Sequence, residues 1–291
     1  MNWSDKRIKS LIENALAEDL QSGDITTQAI IPDNLKSTAT IKAKEKGILA
    51  GVFLSELVFK TVDRKIKFKI YRKDGCEVKK GQAIAKIYGK TKNILKAERV
   101  ALNFIQRMSG IATLTSQFVK KAKPTKAKIL DTRKTTPTLR WLEKYAVRMG
   151  GGENHRFGLY DMVLIKNNHI QAAGSIQEAL LRAKSSVGKL ESRKGNKIKN
   201  IKIEIEVRNL NELQQAIEYG ADRIMLDNFK MGQIKKAVKL TRESKSKAKL
   251  EVSGNVNLKN VKKIAEAGVD FISIGSLTHS ASALDMNLVI D

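Results

Sequence analysis

The sequence has few of the residues that build disulfide-bonded or metal-stabilised domains. One of its 291 residues is cysteine (Cys76) and three are histidine. An intrachain disulfide cannot form, which excludes a secreted disulfide scaffold and fits a reducing, cytoplasmic compartment. The histidines do not follow zinc-finger or HExxH spacing, so we expect no structural zinc. Any metal is expected to sit on carboxylates and substrate.

Long apolar runs are also lacking. No stretch approaches the roughly 18 apolar residues of a membrane span. The first segment, MNWSDKRIKSLIENALAEDL, carries charges throughout and lacks the apolar core and cleavage site of a signal peptide. Aromatic residues make up 5% of the chain and form no run of the kind that stacks on RNA bases. We therefore expect neither a membrane nor a specific nucleic acid as a partner.

Acidic residues are scarce relative to basic ones. There are 30 Asp and Glu against 55 Lys and Arg, a formal net charge of +25. This excess favours an anionic partner, for which nucleic acid, lipid and phosphorylated metabolites all qualify, and charge alone selects none of them. Hydrophobic residues make up 42% of the chain, enough for the core of one large domain or two modest ones.

The first part of the chain predicts a small mixed α and β domain. The first segment is predicted to be an amphipathic helix that ends before the Gly23-Asp24 turn, because apolar residues recur at helical spacing at Ile8, Leu11, Ile12, Ala15 and Leu16. Residues 38–88 alternate in short stretches broken by Asp74-Gly75 and Gly81, which is typical of antiparallel strands. A long helix is predicted over 93–122. Arg107 lies beside its apolar stripe, where the guanidinium would need an anion.

Beyond Pro124, short apolar strands alternate with amphipathic helices, which predicts a parallel sheet, either doubly wound or closed into a barrel. In residues 201–207 apolar side chains alternate with Lys202, Glu204 and Glu206, whereas a strand of a doubly wound sheet would be apolar on both faces. A barrel with fewer than eight units is favoured. Residues 185–200 are expected to form a helix tail and an exposed loop. The strand candidates cover residues 128–131, 162–165, 201–207, 223–226, 250–252 and 271–274.

Polar and small residues follow each strand candidate, at the edge where barrel enzymes carry their sites. One group is cationic and suits a di-anionic acid. A second consists of small residues whose backbone N–H groups can approach phosphate. Two carboxylates, Glu206 and Asp227, could hold ribose hydroxyls directly or through Mg²⁺. The cationic group is Arg133, Lys134, His155, Arg156 and Lys166, and the small-residue group is Ser253, Gly254, Asn255, Gly275 and Ser276.

A long motif lies among these residues. The run ILDTRKTTPTLRWLEKYAVRMGGGENHRFGLYDMVLIKNNHI resembles the central signature of quinolinate phosphoribosyltransferases. The resemblance extends over nearly the whole chain, since EDLQSGDITT, ALNFIQRMSGIAT, IEIEV, IMLDNF, LEVSGNV and FISIGSLTHSASALDMNL follow in the family's order.

The resemblance implies a fold and an assembly. The fold is α/β, with an N-terminal α/β sandwich domain over residues 1–118, joined by 277–291, and an incomplete (β/α) barrel of about six or seven strands over 119–276. It also implies a homodimer or hexamer with shared active sites, in which one subunit's sandwich domain covers the barrel mouth of its partner.

The resemblance further implies which residues meet which substrate. Lys134, Lys166, Glu206 and Asp227 would be catalytic, and Mg²⁺ would accompany phosphoribosyl pyrophosphate without a tight protein site of its own. Arg107 would reach the neighbouring subunit's site. Quinolinate would lie against Arg107, Thr132, Arg133, His155, Arg156 and Lys166. Phosphoribosyl pyrophosphate would lie against Lys134, Lys166, Glu206, Asp227, Ser253, Gly254, Asn255, Gly275 and Ser276.

The implied reaction belongs to the de novo synthesis of NAD: the pyridine nitrogen displaces pyrophosphate from the sugar, and the adjacent carboxylate leaves as CO₂. Three positions depart from the family pattern. Asn167 replaces a common acidic residue, Thr138 a usual glycine and Met149 a usual cysteine.

Two rival hypotheses remain. One is a related phosphoribosyltransferase, such as a nicotinate enzyme or a molybdenum-locus homologue, although a mono-acid needs fewer cations than this sequence offers. The other, prompted by the net charge, is a nucleic-acid-binding protein, for which the sequence has no supporting motif.

Overall fold

The computed structural model describes residues 5–192 and 200–291, which pack into two compact units. Of the described residues, the first unit comprises 5–116, 136–151 and 280–291, and the second comprises 117–135, 152–192 and 200–279. The predicted loop over 185–200 falls partly outside the described residues, at 193–199, and the preceding helix continues to Ser192. Among the described residues, each helix is too short or too polar to cross a membrane.

The elements alternate along the chain much as the sequence pattern predicts, except within residues 38–88. The prediction of antiparallel strands alone is wrong there, because Val52–Val62 form a helix whose buried side chains Leu54, Val58 and Phe59 recur at helical spacing. The helices are α1 (Lys6–Leu20), α2 (Ile25–Ile30), α3 (Val52–Val62), α4 (Thr91–Ala122), α5 (Arg140–Met149), α6 (Asn167–Ala173), α7 (Ile176–Ser192), α8 (Leu210–Glu218), α9 (Met231–Glu243), α10 (Val261–Glu266) and α11 (Ser276–His279). The strands are β1 (Lys36–Ala43), β2 (Gly47–Ile48), β3 (Lys67–Ile70), β4 (Glu77–Val78), β5 (Ala83–Lys90), β6 (Lys128–Leu130), β7 (Val163–Ile165), β8 (Ile203–Val207), β9 (Arg223–Asp227), β10 (Lys249–Ser253), β11 (Phe271–Ser273) and β12 (Met286–Ile290).

The first unit is built on an antiparallel sheet with the strand order β12-β1-β5-β3. Ile41 on β1 and Ile87 on β5 are fully buried, as are Leu54 and Phe59 on α3. The alternation of apolar and polar residues in the sequence therefore places one face of the sheet against the core. The last strand of the chain, β12, joins this sheet by pairing with β1, as the resemblance implies.

Helix α5 packs in the first unit, whereas the sequence-based boundary at residue 118 assigns it to the barrel. Two of its polar side chains account for this position. Glu143 binds Arg107 on α4, and the Tyr145 hydroxyl donates a hydrogen bond of 2.8 Å to Asp74. These partners are distant along the chain, so a strand-and-helix pattern does not reveal them.

In the part of the second unit that the structure describes, six parallel strands lie in the order β6-β11-β10-β9-β8-β7. Strands β7 to β11 are neighbours in chain order, and β11 returns to pair with β6, which is the winding of a barrel and not of a doubly wound sheet. Among the described residues, β6 and β7 do not pair with each other. Leu130 of β6 instead forms an isolated parallel bridge with Glu153, in the segment that follows β6. The barrel is therefore open on one side, in agreement with the expected incomplete barrel.

Strand β8 carries its carboxylates into the barrel. Ile203, Ile205 and Val207 are buried, and Glu204 and Glu206 are also buried, at 0% and 8% exposure. Glu204 contacts charged groups inside the barrel, and Glu206 lines a cavity at the strand ends. This confirms the prediction that the charged set points inward for Glu204 and Glu206. For Lys202 it is wrong, because Lys202 precedes the strand, is exposed and lies 3.2 Å from Asp222.

Candidate active site

A cavity of about 810 Å³ opens in the second unit at the carboxyl ends of the parallel strands. The structure brings every predicted site residue except Arg107 into its lining, although these residues are spread from Thr132 to Ser276 along the chain. The lining also contains residues that sequence reasoning did not assign a role: Leu164, Met225, Asn228, Val256, Ser273, Ile274 and His279.

The cationic side of the cavity consists of Arg133, Lys134, Arg156 and Lys166. Arg156 is buried, and its Nη1 donates a hydrogen bond of 3.1 Å to the carbonyl of Met162. Burial and the neighbouring Arg133 lower the pKa of Arg156, while the Glu204 carboxylate opposes this shift. The wall thus concentrates positive charge in a partly desolvated place, where an anion is strongly favoured.

Asp131 holds the loop that carries His155 and Arg156. It directly follows β6 in the sequence and is fully buried. Asp131 accepts a hydrogen bond of 2.9 Å from the backbone N–H of His155 and another from the side-chain amide of Asn154. Nδ1 of His155 accepts a hydrogen bond of 2.8 Å from the backbone N–H of Arg156. The cationic residue Arg156 is therefore placed by a chain of contacts that begins at the end of a strand.

A cluster of buried charges lies behind this loop. Glu204 and Glu251 are both 0% exposed. Nε2 of His155 lies 3.1 Å from Oε2 of Glu204 and 3.5 Å from Oε1 of Glu251. Nη1 of Arg223 lies 3.0 Å from Oε2 of Glu251 and 3.9 Å from Oε2 of Glu204. Burial raises the pKa of both glutamates to about 7, and the positive charge of Arg223 opposes this shift.

Two further carboxylates line the cavity. Oε2 of Glu206 lies 3.1 Å from Nζ of Lys166, and its Oε1 accepts a hydrogen bond of 3.1 Å from Nδ2 of Asn167. The amide of Asn167 can donate this bond, which an ionised acidic residue at the same place could not. Asp227 ends β9 and accepts a hydrogen bond of 3.0 Å from Nδ2 of Asn228. Glu206 is therefore engaged by two side chains that lie at the end of β7.

The small-residue side of the cavity requires glycine at position 254. Gly254 has a φ of +89°, and a Cβ there would lie 2.2 Å from Oδ1 of Asn228. That same oxygen accepts a hydrogen bond of 3.0 Å from Nδ2 of Asn255. The backbone turn at 253–255 is thus held close to the cavity by side-chain amides, and its small residues leave room for a ligand.

Arg107 lies on α4 in the first unit. Its Nη1 donates a hydrogen bond of 2.8 Å to the carbonyl of Ala281, and its Nη2 lies 2.9 Å from Oε1 of Glu143. The same unit contains two departures from the family pattern. Thr138 has a φ of +68°, a left-handed conformation that suits the glycine of the family pattern, and Met149 is the last residue of α5.

The fold and cavity define an α/β-barrel enzyme whose site, at the carboxyl ends of the strands, is built for anionic ligands. Two family models match the chain: the N-terminal domain of quinolinate phosphoribosyl transferase over residues 24–109 and its C-terminal domain over residues 111–289. The chain therefore belongs to the quinolinate phosphoribosyltransferase family.

Full-length relatives agree with this assignment. The chain is 45% identical, over 98% of its own length and 82% of the relative, to quinolinate phosphoribosyltransferase [decarboxylating] 2a, mitochondrial, of Nicotiana tabacum. It is 42% identical to a probable nicotinate-nucleotide pyrophosphorylase [carboxylating] of Bacillus subtilis, over 97% of this chain and 93% of the relative. The solved structure of nicotinate-nucleotide pyrophosphorylase from Francisella tularensis is similar with a TM-score of 0.90 and 42% identity, covering 98% of this chain and 96% of that one.

Proposed function

We infer that the chain is a decarboxylating quinolinate phosphoribosyltransferase, a pentosyltransferase of de novo NAD biosynthesis. It converts quinolinate and phosphoribosyl pyrophosphate to nicotinate mononucleotide, CO₂ and pyrophosphate. The observation that carries the inference is the composition of the cavity, which is lined at the strand ends by four cationic side chains and two carboxylates. A di-acid and a phosphorylated sugar together match this arrangement of charge.

Quinolinate is assigned to the wall formed by Thr132, Arg133, Arg156 and Lys166, with His155 beside it. Among the described residues, Nε of Arg156 is buried without a hydrogen-bond partner. A buried donor without a partner is costly, and a small adjustment of the guanidinium toward a bound carboxylate would offset that cost. Arg133 and Lys134 are exposed at the mouth and can meet an entering anion first.

Phosphoribosyl pyrophosphate is assigned to two lysines of the cationic side, the two carboxylates and the small residues. Lys134 and Lys166 would neutralise its pyrophosphate, Glu206 and Asp227 would hold the ribose, and the turn 253–255 with Gly275 and Ser276 would hold the 5′-phosphate. Mg²⁺ fits this donor set, because carboxylate oxygens and substrate phosphates are its preferred ligands. Since Glu206 is already engaged by Lys166 and Asn167, Asp227 is the better placed of the two carboxylates to contact the ion.

In this site the protein orients the substrates and complements their charges. The pyridine nitrogen bonds to the anomeric carbon as the bond from that carbon to pyrophosphate oxygen breaks. Glu206 and Asp227 favour the positive charge that develops on the sugar, and Lys134 and Lys166 favour the negative charge on the leaving group. The cationic ring nitrogen then stabilises the carbanion left when the adjacent carboxylate departs as CO₂, and a proton fills that position. The largest contribution of the protein is to hold the reacting atoms in place.

The assembly is proposed to be a homodimer or a hexamer with shared sites, in which Arg107 reaches the partner's cavity. Two observations support this proposal. Glu143 and the carbonyl of Ala281 hold the Arg107 guanidinium in the first unit, and Arg107 is separated in sequence from the other predicted ligands. A cytoplasmic location is also proposed, supported by the single, exposed Cys76. The tobacco relative is named as mitochondrial, so cell fractionation is the appropriate check of location.

The function is tested by incubating the purified chain with quinolinate, phosphoribosyl pyrophosphate and Mg²⁺ and measuring both products. We expect CO₂ and pyrophosphate in equal amounts, and strong loss of both when Mg²⁺ is chelated. The variant Arg133→Ala should lose most turnover, whereas its matched control Arg182→Ala, in an exposed ion pair on α7, should not. Release of pyrophosphate without CO₂ would contradict the proposed reaction.

A further inference from the structure

The buried cluster behind the cavity, formed by His155, Glu204, Glu251 and Arg223, has no role in the transfer chemistry itself. It is costly to maintain, because ionisable groups taken out of water must be paired to be tolerated. Of its four members, His155 alone lines the cavity, and its ring contacts both glutamates. The cluster therefore reaches the lining of the cavity through His155, while the charge of Glu204 also acts on Arg156.

The hydrogen bonds of His155 define the state of its ring. Its Nδ1 accepts the backbone N–H of Arg156 at 2.8 Å, so this nitrogen carries no proton. The proton of a neutral ring must then be on Nε2, which faces the two carboxylates at 3.1 Å and 3.5 Å. Nδ1 is thus hydrogen-bonded within the chain, Nε2 lies near the two carboxylates, and the side chain is only 5% exposed.

The neighbouring groups explain why this arrangement is held in place. Glu251 is anchored by Arg223, whose guanidinium also stacks 4.0 Å from the ring of Phe271 on β11. Glu204 lies on β8 opposite Arg223 on β9 in the strand register. The carboxylates that face His155 are therefore fixed by paired strands of the barrel and not by loops.

We propose that Glu204 and Glu251 are positioning residues that hold the His155 ring in its Nε2–H form, so that His155 supports Arg156 and does not itself hydrogen-bond the acid substrate. This inference rests on the proposed function for the identity of that acid. It assigns direct recognition to the arginines and makes His155 the connection between Arg156 and the barrel interior. Such a supporting layer keeps a binding group within the narrow geometry that recognition requires.

A divalent metal ion is the alternative occupant of this cluster, because His155, Glu204 and Glu251 offer ligand atoms within 4.8 Å of one another. The positive charge of Arg223 disfavours a metal ion at this place. The Arg223 guanidinium already occupies the carboxylate side at 3.0 Å from Glu251 and would lie beside any bound cation. The protonation state of the His155 ring distinguishes a proton on Nε2 from a metal ion bound in the cluster.

The test is long-range ¹H–¹⁵N correlation NMR of the imidazole rings, which is simple because the chain has three histidines. His155→Gln identifies the His155 signals. His169 is an internal reference, since its Nδ1 also accepts a backbone N–H, from Lys166 at 2.9 Å. At neutral pH we expect His155 to have an unprotonated Nδ1 and a protonated Nε2, and to keep this form when quinolinate is added.

Two variants test the role of the carboxylates. In Glu251→Gln and Glu204→Gln we expect the His155 signals to move while those of His169 stay. The KM for quinolinate should rise by about 10- to 100-fold, because a misplaced Arg156 would lose about one charged hydrogen bond to the acid. The KM for phosphoribosyl pyrophosphate should stay within about twofold. Glu178→Gln, in an exposed ion pair, is the control and should change neither.

Several results would overturn the proposal. One is a protonated Nδ1 or a doubly protonated ring, with or without quinolinate, and another is loss of the Nε2 proton on addition of zinc. Equal rises in the KM of both substrates would assign the glutamates a purely structural role. If wild type neither binds nor turns over quinolinate, the proposed function fails, and the ligand-free spectra of wild type and the two variants still decide the state of His155.

Discussion

Nη2 of Arg107 lies 2.9 Å from Oε1 of Glu143, a carboxylate that is 1% exposed. The other oxygen of Glu143 accepts a hydrogen bond of 3.1 Å from the backbone N–H of Thr136. Glu143 thus orients an arginine that would otherwise be one of many flexible cations on this basic chain. Because the pair joins α4 to α5, it also contributes to the folding of the first unit.

Removal of this carboxylate is predicted to destabilise the chain. Glu143→Ala leaves Arg107 partly buried without its counter-charge, and we expect the free energy of unfolding to fall by about 3–5 kcal/mol. Urea denaturation measures the change. Glu178→Ala, in an exposed pair with Arg182, should cost less than about 1 kcal/mol. A loss of similar size in both variants would contradict the importance of burial.

Thr138 is predicted to be a strained position. Its φ of +68° is unfavourable for a β-branched side chain, so Thr138→Gly should raise the free energy of unfolding by about 1 kcal/mol. Thr26→Gly, inside helix α2, is the matched control and should lower it by roughly 0.3–0.5 kcal/mol. If thermal or urea unfolding shows both substitutions to be destabilising, Thr138 is not strained in solution.

Asp227 is predicted to act on the ribose and the metal and not on the pyridine acid. Asp227→Asn should lower kcat by about 100-fold or more, because the developing positive charge on the sugar loses a neighbouring carboxylate. Quinolinate affinity, measured by calorimetry, should change little. Collapse of quinolinate affinity with kcat intact would reverse the roles assigned to the two sides of the cavity.

A shared active site predicts complementation between subunits. Arg107→Ala and Arg133→Ala should each be poorly active, since loss of one charged pocket contact costs about 2–5 kcal/mol. A mixed dimer, however, contains one site in which both arginines are intact. After subunit exchange confirmed by mass measurement, we expect activity well above either parent. If none is regained, Arg107 does not serve a partner's cavity.

The position of the cavity could be predicted from the sequence because it depends on local patterns. Each strand ends in residues such as Lys166, Glu206 or Asp227, and parallel strands bring their carboxyl ends to one edge. The alternation in residues 201–207 likewise predicted that Glu204 and Glu206 point into the barrel. Neither inference needs to know which strand is next to which.

The buried cluster could not be predicted in the same way, because its contacts depend on the stagger between strands. Glu251 on β10 pairs in register with Met225 and Phe271, yet its side chain binds Arg223 and faces His155, which is on a loop. The pairing of Glu143 with Arg107 depends on α5, which belongs to the first unit although it follows the first barrel strand along the chain. In both cases the arginine that pairs with the carboxylate is distant along the chain, and only the tertiary structure brings the two together.

Substrate choice tests the central claim most directly. The cavity is proposed to match two carboxylates, and nicotinate has one, so binding it would leave part of the cationic wall unpaired. With phosphoribosyl pyrophosphate and Mg²⁺ held constant, kcat/KM should be about 10³-fold or more higher for quinolinate than for nicotinate. Comparable values for the two acids would contradict the claim that the cationic wall recognises a second carboxylate.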